Sequence, residues 1–220
     1  MDDAVPTGRV AALGLDRFGA LLLFGGSFDP PTRAHVELPE RVRARLGFDA
    51  VLYVPAKVSP FKVETPPASA GHRVAMLRLA LAGRGDRVVI VTDEVEAEDA
   101  APSYTIDTVR EVRAAMREGA SLRLLLGGDQ PASFERWREA EALFELADPV
   151  VMVRPPQSRG ALLASLPIGS RPRWHGRVVE VEPMHASATA ARRQLQRGGD
   201  TRDLLPESVA RYSREHGLYA

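Results

Sequence analysis

The residues able to do chemistry gather in a few short stretches, the first being Leu21-Leu22-Leu23-Phe24-Gly25-Gly26-Ser27-Phe28-Asp29-Pro30-Pro31-Thr32-Arg33-Ala34-His35. Its apolar start suits a strand covered on both faces, as in a parallel sheet, and Gly25-Gly26 lets the backbone turn sharply and approach a ligand closely. The helix expected to follow turns unpaired N–H groups and a positive dipole end toward that turn, where an anion such as a phosphate is stabilised. The plainer alternative is a Gly pair that ends a buried strand before an ordinary Asp-Pro-Pro turn; a single short motif leaves both open.

The same logic returns where Ser121–Leu126 stops at Gly127-Gly128-Asp129-Gln130. Asp129 there can bond a ribose hydroxyl or stabilise its own turn. Asp93, Glu94, Glu96, Glu98 and Asp99 read as a metal cluster or, more simply, as a solvated acidic loop. Ser187 and Thr189 can be read as an N-cap.

The elements that must position these residues alternate along the chain. Strands are expected at about 20–25, 50–54, 87–92, 121–126, 149–153 and 178–181. Helices are expected over 32–46, with Pro39 inside, over 71–81, and after Ser103-Tyr104-Thr105, where Ile106, Val109, Val112 and Met116 keep helical spacing. Another follows Ser133 as N-cap, with Phe134, Trp137, Ala140 and Phe144 on one face, and two close the chain over 187–196 and 204–216. The proline-rich segment 56–67, carrying Lys57 and Lys62, reads as a long loop at a strand end, a place where function tends to sit, and the stretch 154–177 as a surface excursion with one short helix. This alternation predicts an α/β, Rossmann-like, doubly wound parallel sheet of five to six strands with helices on both faces and a helical C-terminal segment. In such a sheet ligands bind beyond the carboxyl ends of the strands, at a switch point. Neither G-x-G-x-x-G nor G-x-x-x-x-G-K-[ST] follows the first strand, which speaks against a dinucleotide fingerprint or a P-loop.

The 220 residues fit one domain with a sizeable core, and 29 Lys plus Arg balance 29 Asp plus Glu. A net charge of zero gives no bulk electrostatic case for nucleic acid or an anionic membrane, so the ligand is expected to be small. The absence of cysteine removes thiol chemistry and suits a reducing cytoplasm. No stretch reaches the roughly 20 apolar residues of a membrane span. The opening Met1–Gly8 resembles neither a signal nor a transit peptide, and residues 1–19 are expected to form an N-terminal extension to a single domain over 20–220.

Gly25-Gly26-Ser27-Phe28-Asp29-Pro30-Pro31-Thr32-Arg33-Ala34-His35 resembles the G-G-[ST]-F-D-P-x-[HT]-x-G-H segment of the nucleotidylyltransferase superfamily, and Ser187-Ala188-Thr189-Ala190-Ala191-Arg192 resembles its I-S-[SA]-T-x-x-R segment. Between them, Pro55-Ala56 to Pro60-Phe61-Lys62, Ala101–Thr105, Gly127-Gly128-Asp129 with Trp137, and Arg154-Pro155 are similar to bacterial nicotinate-nucleotide adenylyltransferases. So is the tail, from Asp203-Leu204-Leu205-Pro206 to Gly217-Leu218-Tyr219.

The resemblance implies adenylyl transfer from ATP to nicotinate mononucleotide with Mg2+, giving deamido-NAD and pyrophosphate without a protein nucleophile. It implies that Gly25, Gly26, Ser27, Phe28, Gly127 and Asp129 hold ATP and that His35 donates to the α-phosphoryl. Thr32 would supply a hydroxyl donor where many relatives have a first histidine. Ser187 and Thr189 would hold the β- and γ-phosphates, and Arg192 would neutralise them. Lys62, Tyr104, Thr105 and Trp137 would line the acceptor pocket. No protein ligand to the metal is implied, and self-association is left open. Ala34 stands where the superfamily has glycine, and Phe61 where relatives often have histidine. The rival readings are the same chemistry on nicotinamide mononucleotide or a phosphopantetheine-type phosphate, and a nucleotide-binding module that has lost catalysis through Thr32 and Ala34.

Overall fold

In the computed structural model, which describes residues 4–57, 68–96 and 103–220, the apolar runs lie side by side as strands. These are β1 (Thr7–Gly8), β2 (Ala20–Gly26), β3 (Ala50–Pro55), β4 (Val88–Val91), β5 (Ser121–Gly127), β6 (Val150–Val153) and β7 (Val178–Glu180). They form one sheet in the order β1-β4-β3-β2-β5-β6-β7, and every pairing is parallel. Parallel neighbours require crossovers, and the chain supplies them as α1 (Arg33–Leu46), α2 (Ala70–Leu81), α3 (Asp93–Glu96), α4 (Thr105–Ala115), α5 (Ala140–Ala147), α6 (Arg159–Ser165) and α7 (Arg171–Trp174). The closing helices are α8 (Ala188–Gln196) and α9 (Glu207–Glu215).

Strand side chains alternate between two cores, as a period of two requires. Leu21, Leu23, Leu52, Val54, Leu122, Leu124 and Leu126 meet Ile106, Val109 and Val112 of α4 and Leu143 of α5 on one face. Leu22, Phe24, Val51, Tyr53 and Leu125 meet Val36 and Val42 of α1, Met76 and Leu77 of α2 and Val209 of α9 on the other. With both faces covered, the strands read as continuous apolar runs.

The sheet has seven strands where five to six were expected, because β1 gives no hydrophobic signal. Its two residues are recruited by the edge of β4, where Ile90 N–H donates to Pro6 O and Thr92 N–H to Gly8 O, each at 2.9 Å. Val10, Leu13, Leu15 and Phe18 then bury themselves in the first core, so part of the stretch expected as an extension is packed into the sheet edge. The single helix expected after Ser133 is in fact a 3-10 segment, Pro131–Arg136, followed by α5. Glu139 between them takes a left-handed φ of 52°, and Ser133 Oγ donates to the Gln130 carbonyl instead of capping. Asp93–Glu96, expected in an acidic loop, forms the short helix α3, whose Asp93 accepts the Val10 N–H at 2.9 Å.

Candidate active site

The sheet opens between its two central strands. β2 pairs with β5 only from Ala20↔Ser121 to Leu23↔Leu124, while its pairing with β3 continues to Gly26↔Pro55. Beyond Leu23 and Leu124 the strand ends part, and the crossovers leave in opposite directions, which is where a doubly wound sheet offers a crevice. Two cavities occupy it, of about 640 and 360 Å³, and Gly25, Ser27 and Gln130 line both.

Gly25 and Gly26 are the last residues of β2, and neither has a left-handed φ. The sharp turn expected at the Gly pair lies at Phe28, with φ 47°, in a region that a bulky residue enters only under constraint. The constraint is packing: the Phe28 ring is fully buried, edge-on to Phe24 at 5.8 Å and to His35 at 5.4 Å between centroids. Gly26 is needed because a Cβ there would stand 3.0 Å from the Phe28 ring. A Cβ on Gly25 would meet nothing closer than 4.0 Å, so this glycine leaves room in the cavities instead.

Thr32 caps α1, accepting the His35 N–H on Oγ1 at 3.3 Å, and His35 returns the contact by accepting the Thr32 N–H on Nδ1 at 3.0 Å. A capping box is usually closed by Glu or Gln; here imidazole closes it. With Nδ1 as acceptor, the ring proton sits on Nε2. His35 lines the larger cavity, whereas Thr32 is fully buried and lines neither. Its hydroxyl, expected to meet a phosphate, is occupied in the cap and against the imidazole. The methyl of Ala34 packs with Leu38 and Ala186 at the edge of the larger cavity.

Asp29 fastens this turn from behind. Its Oδ1 accepts the Ala68 N–H at 3.2 Å and the Tyr219 hydroxyl at 2.6 Å, and its carbonyl accepts Arg192 Nη1 at 2.7 Å. Burial, the bond to Asp29 and the charge of Asp29 hold the Tyr219 phenol well above the usual tyrosine range. Arg73, 3 % exposed, donates to the carbonyls of Ala68, Ser27 and Lys57 at 3.2, 2.8 and 3.1 Å, joining the ends of β2 and β3 to the start of α2. Arg192 does not line the larger cavity itself; its second nitrogen reaches Thr189 Oγ1 at 3.4 Å.

Opposite His35, Ser187 caps α8 through a 3.1 Å bond from the Ala190 N–H, and Ser187, Ala188 and Thr189 line the larger cavity. The end of β5 contributes Gly127, Gly128 and Asp129, and Gln130 Oε1 accepts the Gly127 N–H at 2.7 Å. Gln157 Nε2 donates to the Gly128 carbonyl at 3.1 Å. Leu38, Met152, Val181 and Ala186 give the cavity an apolar wall. Among the described residues no group of three or more His, Asp or Glu could enclose a metal, and Asp129 is the carboxylate on this wall.

Ser103, Thr105, Trp137 and Glu94 line the smaller cavity. Trp137 stacks on Phe134 at 5.1 Å. No side chain caps the first turn of α4, which begins at Thr105. Tyr104 does not line the cavity; its half-exposed ring lies under the Arg138 guanidinium at 4.5 Å. Glu94 accepts the Ser103 and Thr108 hydroxyls, each at 2.9 Å. Lys62 and Phe61 lie outside the described residues.

The Cytidylyltransferase-like family model matches residues 23–194, a span that includes both the β2–α1 turn and the start of α8. The chain belongs to the cytidylyltransferase-like family. Within it, a protein of Bordetella petrii named a probable nicotinate-nucleotide adenylyltransferase is 41% identical over 199 residues, covering 90% of this chain and 97% of its own. One of the same name from Laribacter hongkongensis is 38% identical, covering 91% and 94%. Among solved structures, a Plasmodium falciparum nicotinic acid mononucleotide adenylyltransferase complexed with NaAD shares the fold at a TM-score of 0.63 and 18% identity, covering 91% of this chain and 97% of its own.

Four residues at or behind these cavities had no role assigned to them from the sequence, although Gln130 and Glu94 lay in stretches already noted. Arg73, Gln130, Gln157 and Glu94 work through main-chain carbonyls, a glycine N–H and two hydroxyls, and such contacts leave no spacing to read. Gln130 was reachable, since it directly follows the Gly-Gly-Asp that ends β5.

Proposed function

We propose that this chain transfers the adenylyl group of ATP to nicotinate mononucleotide, giving deamido-NAD and pyrophosphate. The observation that carries the reading is the pair of cavities sharing Gly25, Ser27 and Gln130, which suits two nucleotides meeting at one phosphate. The larger, with His35, Asp129, the α8 N-terminus and an apolar wall, suits ATP; the smaller, with Thr105 and Trp137, suits the pyridine mononucleotide. The relatives' names agree with this assignment.

In this reading the acceptor phosphate oxygen attacks the α-phosphorus in line, and the bond to the pyrophosphate oxygen breaks. The protein need only position and stabilise charge. His35, its proton held on Nε2 by the Thr32 N–H, donates to the phosphoryl oxygens. Ser187, Thr189 and the first N–H groups of α8 receive the outer phosphates, and Arg192, behind Thr189, adds charge there. The uncapped start of α4 receives the pyridine carboxylate beside Trp137. With no carboxylate cluster among the described residues, Mg2+ would be held by phosphate oxygens and water, with Asp129 a side chain able to join them. When bound it neutralises phosphate charge.

One observation favours nicotinamide mononucleotide instead. Glu94 lines the acceptor cavity, where a carboxylate would repel an acid and accept from an amide. Both of its oxygens already accept protein hydroxyls, and with the uncapped start of α4 in the same cavity and the relatives' names the acid is the better-supported substrate. Chromatography of a reaction with ATP, Mg2+ and nicotinate mononucleotide tests the assignment: dinucleotide and pyrophosphate in equal amounts are expected. ATP binding without turnover on nicotinate mononucleotide, nicotinamide mononucleotide or a phosphopantetheine-type phosphate would mark a nucleotide-binding module.

A further inference from the structure

The penultimate residue of the chain is bonded to the turn that carries His35. Behind α9, Gly217 takes a left-handed φ of 59°, Leu218 N–H donates to Ser213 O at 2.8 Å, and Tyr219, itself at φ 65°, sends its hydroxyl to Asp29 Oδ1 at 2.6 Å. A bulky residue in that backbone region is costly, so the tail is held in a constrained shape that delivers one hydroxyl. Its target is a carboxylate 4 % exposed, whose remaining side-chain donor is the Ala68 N–H.

Two guanidinium groups bond the main chain of this turn, Arg73 at Ser27 and Arg192 at Asp29. Arg73 spends its nitrogens on three carbonyls. Arg192 instead donates to the carbonyl of Asp29 and, more weakly, to Thr189. A buried carboxylate that loses a hydrogen-bond donor favours pairing with a cation within reach that has a nitrogen to spare, because an uncompensated buried charge is costly. We propose that Tyr219 is a positioning residue whose hydroxyl occupies Asp29 and so keeps the Arg192 guanidinium on the Asp29 carbonyl and Thr189, at the start of α8, rather than paired with the carboxylate. The inference rests on the assignment of ATP to the larger cavity.

Tyr219→Phe keeps the ring and deletes only the donor. Calorimetry is expected to show ATP affinity lowered about tenfold, with kcat within a factor of about three and a melting temperature close to wild type. Asp29→Asn removes the charge that would capture Arg192, so Tyr219→Phe added to it is expected to cost little further affinity. The inference is overturned if Tyr219→Phe binds ATP like wild type, if its loss of affinity is undiminished in the Asp29→Asn background, or if it melts far lower and loses kcat and affinity alike. Binding is read without an acceptor, so wild type that binds ATP but transfers nothing refutes the proposed reaction while leaving this inference to stand or fall on the variants. Wild type that binds no ATP overturns both.

Discussion

The backbone N–H of Thr32 donates to Nδ1 of His35 across 3.0 Å, and this bond decides which nitrogen of the imidazole carries the proton. A donor that strengthens only as charge moves toward pyrophosphate acts on kcat more than on ground-state binding. His35→Ala is therefore expected to lower kcat on the order of 10²–10³ while much of the ATP affinity remains. Steady-state kinetics and calorimetry on one preparation check this; an increased KM for ATP with kcat near wild type would contradict it. Thr32→Ala keeps the N–H that orients His35, so it should cost about 1 kcal/mol of stability through the lost cap and far less rate than His35→Ala.

The two glycines at the end of β2 are expected to respond differently. Gly26→Ala drives a Cβ to 3.0 Å from a ring already locked by burial, and roughly 1–3 kcal/mol of stability should go with it. Gly25→Ala meets nothing within 4 Å but protein at the limit, so it should fold normally and raise the KM for ATP. Melting curves beside kinetics separate the two; equal loss of stability in both variants would show that the room beside Gly25 is not kept for a ligand.

Arg73 is a fastening, not a phosphate ligand. Arg73→Leu leaves the carbonyls of Ser27, Lys57 and Ala68 without this donor in a buried place and is expected to cost about 3 kcal/mol. Urea unfolding measures it, and a midpoint near wild type would remove Arg73 from the account.

Burial pushes the Glu94 carboxyl up, opposed by the Thr108 and Ser103 hydroxyls and the Lys57 backbone. A carboxyl whose folded value lies above its unfolded one adds stability below the unfolded value and loses it as pH rises through the folded one. Glu94→Gln, which imitates the protonated acid, should match wild type in acid and gain on it as pH climbs through that window. Urea midpoints across the carboxylate range test this. An opposite trend would mean that the bonds to the charged form outweigh burial.

The alternation of apolar runs with helical spacing made the central strands and the α1, α2 and α4 crossovers legible, because a sheet buried on both faces writes itself as unbroken hydrophobic runs. Its N-terminal edge was not legible: Thr7 and Gly8 join through backbone bonds that any residue can make. His35 and Asp129 were expected beside the larger cavity and Thr105 beside the smaller one because the first and last open or nearly open a helix and Asp129 follows a strand end, and the structure lines the cavities with them. The turn was misplaced because left-handed φ is ordinarily a glycine's, and here packing imposes it on Phe28. The reciprocal cap between Thr32 and His35 was not legible, because the sequence cannot show that a histidine three residues on returns it.

The most direct test of the central assignment compares kcat/KM for nicotinate and nicotinamide mononucleotides at saturating ATP and Mg2+. The uncapped start of α4 predicts that the acid is preferred, by about tenfold or more. A preference for the amide would contradict the account, and the acceptor cavity would then have to be rebuilt around Glu94 as an acceptor for the amide nitrogen.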